Sequence, residues 1–237
     1  MTQTIDPAAA TAANPLDPTL GFRRRAGALA LPLGFLGQLV ANATYSWATR
    51  DGGGDQTGAD ALELYSRQPE AMLVATVAAL IGCLLIVPGA LAAGRVLRPR
   101  SPRLTLAAVL VIVTGYVCYF GIVGTNFVTL ALAESGLEAG AALDASQSYP
   151  AALPIFLLFV IGNMGGAILL AIAVFRSREV PVWAGVGILA WFVLHVVGLV
   201  AGSEWFEVAG GVLQIAGLSM ITARALRLSD AEWARRG

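Results

Sequence analysis

The side chains that could do chemistry in this sequence are a few neutral polar residues placed inside long apolar segments. Amide, phenol and imidazole groups both donate and accept hydrogen bonds without a fixed charge. They therefore indicate hydrogen bonding to a small polar or amphipathic molecule, and the single histidine adds one group able to transfer a proton. The candidate ligand-binding residues are Gln38, Asn42, Tyr119, Asn126, Asn163, His195 and Gln214.

Sequence spacing places several polar residues on shared helix faces, because positions four or seven apart lie above one another on a helix. At about 1.5 Å per residue, most of these groups lie roughly 6–16 Å below one membrane surface. The polar groups are therefore predicted to share one depth, in the outer half of a helical bundle. The pairs are Gln38 with Asn42, Tyr119 with Asn126, and Glu207 with Gln214.

Two interpretations of this polar set stay open. The first is hydrogen bonding between membrane helices, worth about 0.6 kcal/mol per contact. The second is a cleft that opens to the outer face and binds a ligand. Glu204 and Glu207 most simply complement the positive end of a helix dipole. The thiols of Cys83 and Cys118 are typical of small buried apolar residues. The sequence predicts no catalytic residue, no metal site and no cofactor.

Composition sets the fold class. The chain has 237 residues, of which 57% are hydrophobic and 13% charged, about half the charged fraction of a soluble domain. This excludes a cytosolic enzyme, a nucleic-acid binder and a disordered chain. Six apolar runs, each near the ~20 residues that cross a bilayer, predict an all-α, polytopic bundle of six transmembrane helices. The runs are 26–47, 72–94, 104–132, 152–175, 181–202 and 207–225.

Arginine placement predicts the orientation. All 15 basic residues are Arg, and 13 of them fall in segments on one side of the predicted membrane; only Arg50 and Arg67 fall on the other. The positive-inside rule then places both termini in the cytoplasm. Residues 1–21 are predicted to be a disordered cytoplasmic tail, residues 22–227 the transmembrane domain and residues 228–237 a short cytoplasmic tail. The segment ADALELYSR is predicted to form a short surface helix capped by Asp60.

Several segments resemble an uncharacterised family of six-helix bacterial integral membrane proteins from high-GC genomes. They are the Arg pair that opens a Gly/Ala/Leu-rich span, the outer loop that ends in a short helix before a proline, LAAGRVLRPRSPR, and FRSREVPVWAGVG. The resemblance covers most of residues 22–227. It implies the six-helix architecture in a bacterial plasma membrane and supplies no activity, since the family is a domain of unknown function.

The functional prediction is a non-enzymatic bundle that binds a small-molecule or lipid ligand, or that serves as an accessory subunit. A passive transporter or channel is the alternative, and an intramembrane lipid-modifying enzyme using His195 and an outer carboxylate is the weakest candidate. An ion-coupled pump is disfavoured because no charged residue lies in the middle of a span. The predicted partners are the lipid bilayer, a ligand, a second copy of the chain or a membrane subunit, and not nucleic acid.

Overall fold

The computed structural model describes residues 17–237 and is all-α, with no strand in that range. Six of its helical segments are long and apolar enough to cross a membrane. They are α1 (Leu20–Ala48), α3 (Pro69–Leu97), α4 with α5 (Pro102–Gly124 and Asn126–Ser135), α7 with α8 (Ala152–Val160 and Gly166–Ser177), α9 (Val182–Ala201) and α10 (Trp205–Arg227). The shorter helices are α2 (Gly58–Arg67), α6 (Gly140–Gln147) and α11 (Asp230–Arg235).

The six spans form a closed ring. α1 packs against α3 and α10, α3 against α4, α4 against α7 and α8, α8 against α9, and α9 against α10. The predicted six-helix fold is therefore confirmed. We call the end that carries the α3–α4 and α8–α9 loops the Arg-rich end, and the end that carries α2 and α6 the acidic end.

Local chemistry explains where the helices begin and end. Pro69 and Pro102 occupy the first turns of α3 and α4, where the missing N–H costs nothing. Gly136 and Gly202 end α5 and α9 in the left-handed conformation that glycine adopts without strain. These signals fix the lengths of the loops and thus the depth at which each polar side chain lies.

The N-terminal boundary differs from the sequence prediction. Residues 1–16 of the predicted tail lie outside the described residues, but α1 already begins at Leu20 and includes the Arg cluster. Arg24 is buried, and its guanidinium donates to the carbonyl oxygens of Ala225 and Leu226 and to Asp230. A cation is favourable there because the carbonyls at the end of α10 carry the negative end of the helix dipole.

The segment predicted as a C-terminal tail contains α11, whose first turn is held by a capping box between Ser229 and Glu232. Trp233 of this helix is only 3% exposed and packs into the main apolar core. Arg236 donates to the carbonyl oxygen of Val96 and to Glu179. These contacts fasten α11 across the Arg-rich end of the bundle.

At the acidic end, α2 is amphipathic and buries Leu64 and Tyr65 against the ends of α1, α3 and α5. Its cap is Thr57, whose hydroxyl accepts from the backbone N–H of Asp60. The predicted cap, Asp60, instead lies in the first turn, where its negative charge complements the helix dipole. The prediction of a short helix is right and its capping residue is wrong.

Two irregularities shape the interior. The third span breaks at Thr125, between α4 and α5. The fourth contains a π-helical turn, Ile161–Gly165, where Gly162 meets Gly115 of α4 at backbone contact. A Cβ atom on either glycine would overlap the backbone of the other helix. The close approach of the two helices therefore requires glycine at both positions. It places the π turn, which includes Asn163, directly against α4.

Candidate ligand-binding cavity

A cavity of about 380 Å³ lies within the ring, toward the acidic end. Its wall combines side-chain amides, one imidazole and one carboxylate with aromatic rings. Volumes of this order are typical of small-molecule sites, which pair a mostly apolar wall with a few placed polar groups. The lining residues are Phe35, Gln38, Asn42, Tyr116, Tyr119, Phe156, Phe159, Val160, Asn163, Met164, Trp191, His195, Leu199, Glu207 and Gln214.

A three-residue polar chain connects α1, α9 and α10 on one side of this cavity. Nδ1 of His195 lies 3.0 Å from Oε2 of Glu207. The amide of Asn42 donates to Oε1 of the same carboxylate over 2.8 Å. Both carboxylate oxygens of Glu207 thus have a partner. The Nε2 atom of His195 takes no part in the contact with Glu207. Stacking on Trp191, with ring centroids 5.2 Å apart, further fixes the imidazole plane.

A second polar contact lies across the cavity, between α4 and the π turn. The Tyr116 hydroxyl donates to Oδ1 of Asn163 over 2.9 Å. This leaves the NH₂ group of Asn163 as a donor on the cavity side. π-helical turns often occur at functional sites because they displace a side chain from the regular helical face. Here the turn places Asn163 in the cavity wall.

Two glutamines in the wall differ in their partners. Gln38 is 8% exposed, and its amide nitrogen donates to the carbonyl oxygen of Ala79 and contacts the thiol of Cys83. Gln214 is 5% exposed and makes no side-chain hydrogen bond to any residue in 17–237. No fully occluded side-chain polar atom in the described part of the chain lacks a partner. The Gln214 amide therefore opens onto the cavity, where its donors and acceptor are available.

Aromatic side chains form the rest of the wall. Tyr119 stacks on Phe159 with centroids 4.2 Å apart, and Tyr116 meets both Phe35 and Tyr119 edge to face. The Tyr119 hydroxyl has no protein partner within the described range. A flat, weakly polar surface of this kind suits a ring or an acyl chain.

The cavity opens sideways, between α7 and α9. α8 packs against α9, whereas α7, which continues the same span toward the acidic end, packs against α4 and buries none of its residues. Phe156 of α7 and Leu199 of α9 both line the cavity, and they are 51% and 62% exposed. An apolar mouth at the level of the spans faces the bilayer, so an amphipathic molecule can enter from the lipid.

Comparison of the chain with protein-family models, with curated proteins and with solved structures gives no match. The resemblance to the six-helix bacterial family therefore stays a prediction. The residues of the cavity are the basis on which a function can be proposed.

Six of the seven candidate site residues line this cavity, and Asn126 does not. Asn126 is the first residue of α5, beyond the turn at Thr125, whereas Tyr119 lies on α4. Asn126 instead donates to the hydroxyl of Thr76 on α3 over 3.3 Å. It thus acts as a contact between helices, outside the cavity.

Glu207 is the main cavity residue that the sequence prediction assigned elsewhere. It was expected to complement the dipole of α10, and it does lie in the first turn of that helix. Its side chain reaches inward to His195 and Asn42. The seven-residue spacing from Gln214 was the signal that could have placed Glu207 in the site.

The ionisable groups in and near the wall limit the chemistry of the site. Glu204 precedes α10 outside the cavity wall, and desolvation, together with the nearby Glu207 carboxylate, raises the pKa of its carboxyl group. Among residues 17–237, no three His, Cys, Asp or Glu side chains come close enough to hold a metal ion. The arrangement can accept and donate hydrogen bonds and exchange a proton at His195.

Proposed function

We propose that this multi-pass membrane protein binds a small amphipathic molecule that enters the cavity from the bilayer. The observation that carries the proposal is Gln214, whose amide is 5% exposed, faces the cavity and makes no side-chain hydrogen bond to residues 17–237. Because this amide adds no hydrogen bond between the helices in that range, its donors and acceptor are available only to a molecule in the cavity. A bound polar group would satisfy the amide.

The wall defines the chemistry of this molecule. Free groups on three sides, at Gln214, Tyr119 and Asn163, suit a head group that both donates and accepts hydrogen bonds, such as a carbonyl or hydroxyl. The aromatic surface and the apolar mouth suit a ring or chain that extends toward lipid. A ligand of this class matches the predicted small-molecule or lipid ligand.

A channel through the bundle receives less support. On the Arg-rich side of Gln214 and Trp191, the interior is filled by tightly packed apolar side chains, each at most 2% exposed. They are Leu170, Val174, Ile188, Leu218 and Ile221. Passage of a polar solute across this layer would require the spans to separate, whereas binding in the cavity requires no such change.

The two glutamines provide a matched test. Gln214→Leu is expected to leave the melting temperature of the detergent-purified protein unchanged or higher, because the amide has no hydrogen bond to lose within residues 17–237, and to abolish retention of the co-purifying ligand. Gln38→Leu is expected to lower the melting temperature, because it removes the hydrogen bond to Ala79, at about 1 kcal/mol. Thermal unfolding and native mass spectrometry of both variants measure these effects.

The outcome that would contradict the proposal is specific. One result would be that Gln214→Leu destabilises the protein as much as Gln38→Leu, while the mass spectrum shows no molecule bound to the wild type. The polar residues would then serve only as hydrogen bonds between helices. Retention of the same bound molecule by the Gln214 variant would also exclude the site.

The His195–Glu207 contact favours one second candidate, an enzyme that modifies a lipid by proton transfer. A carboxylate that holds and polarises an imidazole is the arrangement that general acid–base chemistry uses. Incubation with membrane lipids followed by mass analysis separates the two functions. A binding protein returns its ligand unchanged, and an enzyme returns a molecule of altered mass that His195→Gln does not produce.

We further propose a bacterial plasma membrane with the Arg-rich end in the cytoplasm, from the Arg partition. In a variant with Cys83 and Cys118 replaced by Ala, Ser146→Cys next to the end of α6 is expected to react with an impermeant maleimide in intact cells. Pro99→Cys in the α3–α4 loop is expected to react only after the cells are lysed. Both positions are exposed, and the reverse labelling pattern would overturn the orientation.

A further inference from the structure

A second cavity, of about 710 Å³, lies at the Arg-rich end, between the α3–α4 and α8–α9 loops. Four arginines line it: Arg100 in the α3–α4 loop, Arg103 in the first turn of α4, Arg176 in the last turn of α8 and Arg178 just after it. Its other walls include the side chains of Leu104 and Phe175. The cavity is on the opposite end of the bundle from the ligand-binding cavity and shares no residue with it.

These four arginines differ in their partners from the buried or half-buried Arg24, Arg224 and Arg236 at the same end. Arg24 pairs with Asp230, and Arg224 and Arg236 both pair with Glu179. Within the described range, none of the four cavity arginines has an acidic partner at salt-bridge distance. The four side chains are exposed, so solvent screens part of their mutual repulsion, and an anion between them would lower it further.

The N-terminal end of α4 adds to this positive field. Arg103 lies in the first turn of α4, where the helix dipole is positive and a carboxylate would be the favourable residue. The first turn of α4 contains no acidic residue, and its Ser101 makes no capping hydrogen bond through its side chain. The positive charge of Arg103 at this position destabilises α4, whereas an anion bound in the cavity would stabilise it.

We propose that this cavity binds the phosphate group of an anionic phospholipid. Arginine is suited to phosphate because its planar N–H groups form paired hydrogen bonds with two oxygens. The half-buried Leu104 and Phe175 lie at the ends of two membrane spans, so the acyl chains of a lipid can follow α4 and α8 while the head group stays among the arginines. Basic pockets between spans bind anionic head groups in this way.

The test compares two double variants of equal charge. Arg103→Gln with Arg176→Gln removes one cavity arginine from α4 and one from α8. Arg25→Gln with Arg227→Gln removes two exposed arginines at the same end that do not line it. Each protein is reconstituted in nanodiscs of phosphatidylcholine with increasing phosphatidylglycerol, and bound lipid is counted by native mass spectrometry.

The wild type is expected to retain phosphatidylglycerol in preference to phosphatidylcholine. The cavity variant is expected to bind it roughly 10- to 30-fold more weakly, from the loss of two basic contacts, and the control variant to bind it nearly as the wild type does. Thermal unfolding in pure phosphatidylcholine verifies that both variants fold.

Inorganic phosphate, titrated into the phosphatidylcholine nanodiscs, separates the two sources of a phosphate group. Little stabilisation by inorganic phosphate supports the lipid, whereas stabilisation equal to that from phosphatidylglycerol overturns the lipid assignment. Equal losses in the cavity and control variants would also overturn the proposal, because they would show a response to overall charge. Absence of any lipid preference in the wild type would do the same.

Discussion

Replacing Glu207 with Leu is expected to lower the free energy of unfolding by about 2–3 kcal/mol, because it removes the hydrogen-bond partner of two half-buried polar side chains at once. His195 loses its contact at 3.0 Å and Asn42 loses its acceptor at 2.8 Å. Both side chains line the cavity and are half-buried, so leucine at position 207 leaves each without its carboxylate partner. In detergent, this corresponds to a fall in melting temperature of roughly 5–10 °C.

The control for this variant is Glu204→Leu, which removes the neighbouring carboxylate from an exposed position. It is expected to change the free energy of unfolding by less than about 0.5 kcal/mol, and the melting temperature correspondingly little. Glu207→Gln keeps an acceptor for one of the two partners and should recover part of the loss. Equal effects of the Leu substitutions at the two positions would show that the polar chain contributes no stability.

The second large effect is expected at the contact between α4 and the π turn. In Gly162→Ala the added methyl group would overlap the backbone of Gly115, which has no side chain that can move aside. The two helices must then separate, at a cost of about 1–3 kcal/mol or more. Separation would also move Asn163 away from the Tyr116 hydroxyl, so ligand retention should fall together with the melting temperature.

Gly165 provides the matched control within the same turn. A Cβ atom there meets only Ile161, at 3.8 Å, and the backbone is helical. Gly165→Ala is therefore expected to be neutral or to raise stability by up to about 1 kcal/mol, through the lower chain entropy of alanine. If the two alanine variants unfold at the same temperature, the close approach of α4 and the π turn is not a source of stability.

Much of the fold could be predicted because crossing a bilayer imposes strong physical requirements. Runs of about 20 apolar residues must be helical in lipid, and all six appear as such. The helix ends were harder to predict, because Arg23–Arg25 suggest a water-facing segment. Arg24 is buried only because α10 ends beside it, a contact across 201 residues that no local pattern indicates.

The candidate site was predictable to the extent that each polar group avoids lipid. That requirement turned Gln38, His195 and Gln214 toward the interior at a shared depth. Contacts with other helices decided the remainder. Asn126 bonds Thr76 of α3 and does not line the cavity. No residue pattern distinguishes Gln38, whose amide bonds a carbonyl of α3, from Gln214, which makes no side-chain hydrogen bond within residues 17–237.

The contact between Arg24 and the end of α10 joins the first and sixth spans. It can therefore form only after the sixth span has been synthesised. At about 5–20 residues per second, the ribosome makes Ala225 roughly 10–40 s after Arg24, since 201 residues separate them. During that interval, the earlier spans form an open arc in the bilayer. Glu207 and Gln214 both belong to α10, so the cavity does not exist until the last span inserts and closes the ring.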